Sequence, residues 1–331
     1  MARALVTGGA GFIGSHLVER LLAEGHDVVV LDDLSTGRLE NLKTVLASPH
    51  VSFHQEDVAD LKAIQPYFAG VEWAFHLAAR ADVVPSIQEP WAYHRANLDG
   101  TVAALEASRR AGVKRFLFAA SSSCYGIPQG LPTPETAPID PKYPYALTKY
   151  LAELCVFHWG TVYKLPVLSL RIFNAYGPRA RTTGAYGAVF GVFLAQKLHG
   201  LPFTVVGDGT QKRDFVFVAD VVEAFLLAAR SDLTGMALNV GSGRPQSVNR
   251  IVELLGGGPV VHLPKRPGEP ECTWADISRI RGLLGWEPKV SFEEGIGILL
   301  KGIEHWRDAP VWTPEGIAEA TQEWFRYLGP G

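Results

Sequence analysis

The sequence predicts an α/β fold: a doubly wound parallel sheet with a smaller α/β lobe toward the C-terminus. Three observations predict it. Apolar strand-like runs alternate with amphipathic helical runs through the first half of the 331 residues. The first forty residues follow the order strand, glycine-rich turn, helix, strand, acid. Beyond Asn174 the alternation loosens and Gly/Pro punctuation thickens, as in Gly256-Gly-Gly-Pro259 and Lys265-Arg-Pro-Gly268.

The opening unit has a physical reason for each part. Arg3-Ala-Leu-Val-Thr7 is a short apolar strand, and Gly8-Gly-Ala-Gly11-Phe12-Ile13-Gly14 follows at once. The helix after it places Leu17, Val18, Leu21 and Leu22 on one face and stops at Gly25. Asp27-Val-Val-Val-Leu31 is a second buried strand ending on Asp32. Gly8 allows the tight turn, Gly11 leaves the backbone open to a pyrophosphate, and Gly14 lets helix and strand pack closely. The helix N-terminus then faces the phosphates. A carboxylate at Asp32 accepts hydrogen bonds from a ribose 2′-OH and repels a 2′-phosphate, which favours NAD over NADP. The unit therefore reads as a Rossmann-type dinucleotide site.

Further strands are expected at Val51–His54, Trp73–Ala79, Arg115–Ala120 and Pro166–Phe173, with helices over Pro90–Ala111 and from Pro144 to about Val162. The first helix is closed by Gly112, and the second carries Pro in its first turn. Later come short strands (Phe203–Val206, Ala237–Val240, Val260–Leu263) and helices near 187–199, 219–230, 276–284 and 293–306. The last stretch, 313–328, reads as one helix started by Thr313-Pro-Glu, its aromatics serving packing. The division expected is an NAD-binding domain over 1–173, segments within 203–245 returning to it, and a substrate lobe over most of 174–331.

Composition narrows the class. Hydrophobic residues make up 47% and charged residues 20%, as in a soluble globular protein. A net charge of −3 without long runs of one sign gives no footprint for nucleic acid or a membrane surface. No apolar run is long enough to span a bilayer, and a strand starting near residue 3 leaves no room for a secretory signal. Cys124, Cys155 and Cys272 lack metal-ligand spacing and suit a reducing cytoplasm; no metal is expected.

Ligands in such sheets bind at the carboxyl ends of the strands. His76-Leu77-Ala78-Ala79 falls there, its small residues suited to a flat cofactor and His76 given no role. Ser121-Ser122-Ser123-Cys-Tyr125-Gly126 follows the fifth strand. Tyr145 and Lys149 stand one helical turn apart on one face. Lysine, with a cationic nicotinamide nearby, is expected to lower the tyrosine pKa and make a base for neutral pH. Arg171-Ile-Phe-Asn174-Ala-Tyr-Gly-Pro-Arg179 closes the next strand, where an amide and arginines meet a phosphorylated substrate.

Together, Thr7-Gly-Gly-Ala-Gly-Phe-Ile-Gly14, Asp32, His76-Leu-Ala-Ala79, Ser121-Ser-Ser, Tyr145-x-x-x-Lys149, Arg171-x-Phe-Asn174 and Gly207-Asp-Gly-Thr-Gln-Lys-Arg213-Asp-Phe occur in order. In this the chain resembles the extended short-chain dehydrogenase/reductase superfamily, in its branch of nucleoside-diphosphate-sugar epimerases and dehydratases, near the UDP-glucose and UDP-N-acetylglucosamine 4-epimerases. The resemblance covers about residues 3 to 306; the tail from about Asp308 lies outside the general pattern. It implies that Gly8, Gly11, Phe12 and Ile13 hold the cofactor pyrophosphate, and Asp32, Asp33, Thr36 and Gly37 the adenosine ribose side. Asp57 and Val58 would flank the adenine, with Leu77, Ala78, Ala79, Asn97 and Ala119 toward the nicotinamide. Tyr145 would be the general base, Lys149 the ribose ligand, and Ser121 the catalytic hydroxyl with Ser122 as fallback. Asn174, Ala188, Val189, Thr204, Val205, Arg213, Val248, Arg266 and Glu269 match positions that grip the nucleoside diphosphate. Glu269 stands where the family usually has Asp. Ala81, Ser123 and Thr273 would face the sugar substituents, and their small size admits plain and N-acetylated hexoses alike.

The implied activity is NAD-dependent 4-epimerisation of a nucleoside-diphosphate hexose through a transient 4-keto sugar. The 4,6-dehydratase alternative needs an Asp-Glu pair after the catalytic hydroxyl, where this chain has Ser122 and Ser123. Decarboxylases carry Glu at the second of those positions. A GDP-fucose-type epimerase-reductase needs Cys there and prefers NADPH. A uronate 4-epimerase stays open through Arg80 and Arg181, and a non-catalytic dinucleotide-binding role conflicts with the presence of Tyr145, Lys149 and Ser121. The helices over 90–111 and 144–162 resemble the pair that forms a four-helix homodimer interface.

Overall fold

The computed structural model describes residues 2–180 and 189–329. Seven strands form one parallel sheet: β1 (Arg3–Thr7), β2 (Asp27–Asp32), β3 (Val51–Gln55), β4 (Trp73–His76), β5 (Arg115–Ser121), β6 (Val167–Ile172) and β7 (Met236–Val240). Their spatial order is β7-β6-β5-β4-β1-β2-β3. The chain order reverses between β1 and β4, where open α/β sheets take their ligands. Every residue of β6 is buried, as a strand covered on both faces requires. Helices Phe12–Ala23 and Val218–Arg230 cover one face, with Leu17, Val18, Leu21, Val221 and Phe225 in the core. Helices Gly100–Ala111 and Pro144–Tyr163 cover the other, burying Ala104, Leu105, Ala152 and Val156.

The smaller lobe has its own core, in which Tyr176, Phe190, Phe215 and Phe217 pack around Ile296, Leu299 and Trp306. The strand Phe203–Val206 pairs in parallel with Val260–Leu263. Asn174–Tyr176 pairs with Phe215–Phe217. Late in the chain, β7 returns to the main sheet and pairs with β6 from Met236↔Leu168 to Val240↔Ile172.

Two elements differ from the sequence reading. The helix expected over 90–111 contains a π-helical turn at Arg95–Asp99. It surrounds Asn97, whose side chain is fully buried against the Arg80 backbone. The single helix expected over 313–328 is two, Pro314–Ala320 and Gln322–Leu328. They break at Thr321, whose hydroxyl donates to the Ile317 carbonyl at 2.7 Å instead of continuing outward. Trp324, on the second of these helices, is buried.

Candidate active site

A cleft of about 770 Å³ opens along the carboxyl ends of β1, β4 and β5 and runs into the smaller lobe. This lies in the upper range for a small-molecule site. At one end stand the glycine loop and Asp32, in the middle the serines with Tyr145 and Lys149, and at the other end Arg213, Arg266 and Glu269.

The glycine loop is held by contacts that no side chain could share. Gly8 has φ +69°, and a Cβ there would lie 2.7 Å from the Ala78 backbone nitrogen. This close approach explains why small residues follow β4. A Cβ on Gly14 would lie 2.1 Å from the Gly8 carbonyl oxygen and 2.8 Å from Gly9 Cα. Both obstacles are backbone, so the loop itself would have to move. Gly14→Ala should therefore purify without bound dinucleotide and lose about 1–3 kcal/mol of stability to overpacking. A cofactor-release spectrum with a denaturant melt checks both.

Asp32 ends β2 with its carboxylate almost buried. It accepts from the Ala10 N–H at 2.9 Å and the Leu34 N–H at 2.9 Å, and so ties the glycine loop to the next turn. Burial pushes its pKa up, and these two backbone bonds oppose the rise. Gly37 lies against this carboxylate, 2.8 Å from its Oδ1 at an added Cβ, and serves the pocket from behind Asp32 instead of lining it. Asp33, Thr36, Asp57 and Val58 line the same end, with Asp57 paired to Arg95.

His76, Thr7 and Thr101 form a buried chain below this loop. Thr7 Oγ1 accepts from the Ala78 N–H at 3.2 Å and meets His76 Nδ1 at 2.7 Å, and His76 Nε2 meets Thr101 Oγ1 at 2.9 Å. Burial pushes His76 down to about 3, so it stays neutral and structural. Asn97 is also structural. Its Oδ1 accepts from the Arg80 N–H at 2.8 Å, and its Nδ2 donates to the Arg80 carbonyl and to Thr148 Oγ1. It holds the segment Ala79–Ala81 that lines the cleft and does not line the cleft itself.

In the middle of the cleft, Ser121 Oγ accepts from Ser123 Oγ at 2.8 Å and from the Ser123 N–H at 3.2 Å. The Ser121 side chain stands close enough to the Tyr145 phenol to favour its ionised form, which singles out Ser121 from its two neighbours. The expected lowering depends on a cationic nicotinamide; the protein's own groups hold the Tyr145 phenol above its ordinary value. Burial, its largest influence, pushes the phenol up; Ser121 opposes this, and Asp82 adds to the rise. Burial also pushes Lys149 down to about 7, so near neutral pH it carries its charge only part of the time. Its ammonium lies over the Phe118 ring at 4.3 Å.

That depressed lysine makes stability depend on pH. Between about 7 and the ordinary 10.5, the unfolded chain binds a proton that the folded chain does not, so this group makes stability rise with pH across that window. Below about 7 the full cost of burying the charge remains. Lys149→Met should therefore be more stable than wild type at and below pH 7, the gain shrinking toward pH 10.5. Urea unfolding across that range measures it.

At the far end Glu269 bridges two arginines. Arg266 Nη1 donates to its Oε1 at 3.0 Å and Arg213 Nη2 to its Oε2 at 3.3 Å. Arg213 also donates to the Pro270 carbonyl at 2.8 Å. Thr273 Oγ1 donates to Asn174 Oδ1 at 3.0 Å, joining the segment after Glu269 to the end of β6. Ala81, Ala119, Leu77, Phe12 and Ile13 also line the cleft. Val189, Thr204, Val205 and Val248 do not. They pack into the core of the smaller lobe, with the Thr204 hydroxyl accepting from Gln196 at 2.8 Å. Ala188 and Arg181 lie outside the described residues.

Tyr143 and Trp324 are among the cleft residues that escaped the sequence reading. Tyr143 stacks on Tyr145 with rings 6.5 Å apart and 7° from parallel, and Trp324 of the last helix meets Tyr143 at 6.0 Å. Nothing in the sequence separates an aromatic residue facing a cleft from one facing a core; the Tyr-Pro-Tyr spacing at 143–145 is the one available signal. Among the described residues no cluster of His, Cys, Asp and Glu could hold a metal ion.

The model of the "NAD dependent epimerase/dehydratase family" matches residues 4–241. A UDP-glucose 4-epimerase of Mycolicibacterium smegmatis is 40% identical over 92% of this chain and 99% of its own. Among solved structures, the UDP-glucose 4-epimerase of Thermotoga maritima with UDP-glucose superposes with a TM-score of 0.85, at 37% identity over 92% of this chain and 98% of its own. That of Thermus thermophilus in complex with NAD gives 0.82, at 38% identity over 93% and 100%. A likeness that runs from the glycine loop to β7 in one family model, and through nearly the full length of these relatives, places the chain in the NAD dependent epimerase/dehydratase family.

Proposed function

We propose that the chain is an NAD-dependent UDP-hexose 4-epimerase, interconverting UDP-glucose and UDP-galactose or their N-acetyl forms. The observation that carries this is the pairing of the Tyr145 phenol with Ser121 in a cleft where positions 122 and 123 hold serines, not carboxylic acids. Such a site moves a proton on and off one hydroxyl, and at positions 122 and 123 it lacks the carboxylic acids that eliminating water would use. The similar proteins named UDP-glucose 4-epimerase support the same reading.

The glycine loop fits the dinucleotide, since Gly8, Gly11 and Gly14 leave its backbone bare and the buried Asp32 carboxylate stands beside it. Gly8, Gly11, Phe12 and Ile13 would hold the pyrophosphate, Asp32, Asp33 and Thr36 the ribose, and Lys149 the nicotinamide ribose. When bound, NAD supplies the reversible oxidation of the sugar at C4 and a positive ring beside Tyr145. Tyr145 takes the proton from the 4-hydroxyl oxygen while Ser121 shares that hydrogen bond. Arg213, Arg266 and Glu269 keep the nucleoside diphosphate fixed as the sugar turns over. Tyr145 then returns the proton to the same oxygen on the opposite face.

The enzyme works as a homodimer in the cytoplasm. Trp91 is 76% exposed, and Leu147, Leu154, Val162 and Tyr163 on the helix Pro144–Tyr163 are each more than 40% exposed, an apolar surface suited to a second copy. The three cysteines are free. Light scattering of the purified protein tests the dimer.

Proton NMR with UDP-glucose, UDP-N-acetylglucosamine and UDP-glucuronate in turn, without added NAD, tests the activity. The expected result is a new anomeric signal for the 4-epimer of at least one hexose. A 4-keto-6-deoxy product, or turnover of the uronate alone, would overturn the reading.

A further inference from the structure

The tail beyond Asp308 has no part in the family pattern, yet it reaches the cleft. Ala309, Pro310, Trp312 and Trp324 line the same cavity as Tyr145 and Arg266. The final helix, Gln322–Leu328, packs against the helix Val83–Gln88, which flanks the sugar end. Trp324 is fixed there at three points: its indole N–H donates to the Pro267 carbonyl at 2.8 Å, its ring meets Tyr143, and the Arg266 guanidinium lies over it at 5.7 Å. Tyr143 continues the row by stacking on Tyr145. Aromatic contact thus runs unbroken from the guanidinium expected on the diphosphate to the phenol expected at C4.

We propose that Trp324 is a positioning residue: through Tyr143 and Arg266, the C-terminal helical pair sets the wall of the sugar-diphosphate subsite. This rests on the epimerase reading. A hexose that must present both faces to one base needs a boundary that holds it without directional bonds to either face. Stacked aromatic rings give such a boundary, because dispersion and apolar contact do not depend on which face is turned. Hydrogen-bonding side chains would favour one face and hold it.

Trp324→Phe keeps a ring and loses the indole N–H; Trp324→Leu keeps apolar bulk and loses the ring. UDP binding by calorimetry, KM and kcat for UDP-glucose, and reduced cofactor left on the enzyme during turnover are measured for each full-length variant. In Trp324→Leu, the UDP dissociation constant and KM are expected to rise about tenfold. Reduced cofactor is expected to accumulate as oxidised sugar escapes, and Trp324→Phe should recover most of both losses. Wild-type values in Trp324→Leu would overturn the proposal. So would equal losses in both variants, or a lowered melting temperature with unchanged KM and UDP binding, which would make the residue simple packing. If the wild type epimerises no nucleotide sugar, the proposed activity fails. The UDP affinities of the two variants then still decide whether the tail builds the subsite.

Discussion

Tyr145→Phe is expected to lower kcat for C4 epimerisation by about 10²–10⁴-fold, the contribution of a positioned general base. The variant keeps the ring that stacks on Tyr143 and loses only the hydroxyl that meets Ser121. UDP affinity and thermal stability should therefore stay near wild type, and KM should change far less than kcat. Because burial holds the phenol above its ordinary pKa, the phenolate is scarce until pH rises or a positive charge arrives. Wild-type kcat/KM should climb with pH through the neutral range, and that slope should vanish in the variant. Stopped NMR assays across pH measure both. An undiminished rate in Tyr145→Phe would remove the tyrosine from the chemistry.

The second large effect lies one turn beyond Lys149. Glu153 accepts from Arg171 Nη2 at 2.7 Å, from its Nε at 3.1 Å, and from Ser169 Oγ at 2.6 Å, with both members of the pair almost wholly buried. Arg171 also donates to the Tyr125 hydroxyl at 2.9 Å, and Tyr125 to Asn239 Oδ1 at 2.7 Å. Truncating one partner strands the other charge in the interior, which costs about 3–5 kcal/mol. Glu153→Ala should lose that much in urea unfolding. Activity should fall too, because the Glu153 charge opposes the loss of the Lys149 proton. Replacing both Glu153 and Arg171 by apolar residues of similar volume should restore most of the stability without restoring that support to Lys149.

The parts of this site that were legible in the sequence are those where one residue type alone satisfies the backbone or the charge. Gly8 and Gly14 are forced by contacts of 2.7 and 2.1 Å, and Asp32 marks the end of a strand with a carboxylate the loop needs. Tyr145 and Lys149 share a helix face whichever way the helix packs. What stayed hidden depends on side-chain direction. Thr204, Val205 and Val248 occupy matching positions but face a core. Asn97 spends its amide on the Arg80 backbone and Thr148, and Trp324 lines the cleft from the second of two helices where one was expected. The balance at Tyr145 was hidden for the same reason: burial raises the phenol and lowers Lys149, and burial depends on packing.

The return of β7 to the edge of the sheet has a consequence for the order in which the protein is made. On a ribosome, β1 through β6 emerge first, and β6 then offers an unpaired edge, rich in Val, Leu and Ile, until residues 236–240 arrive. Asn239, on that last strand, receives the Tyr125 hydroxyl and so anchors the network that reaches Arg171 and Glu153. The base and its lysine thus gain their final support only when a segment synthesised long after them has docked. A chain halted before residue 236 would carry every catalytic side chain proposed here, yet would lack the anchor beneath them and expose a surface prone to pair with its neighbours.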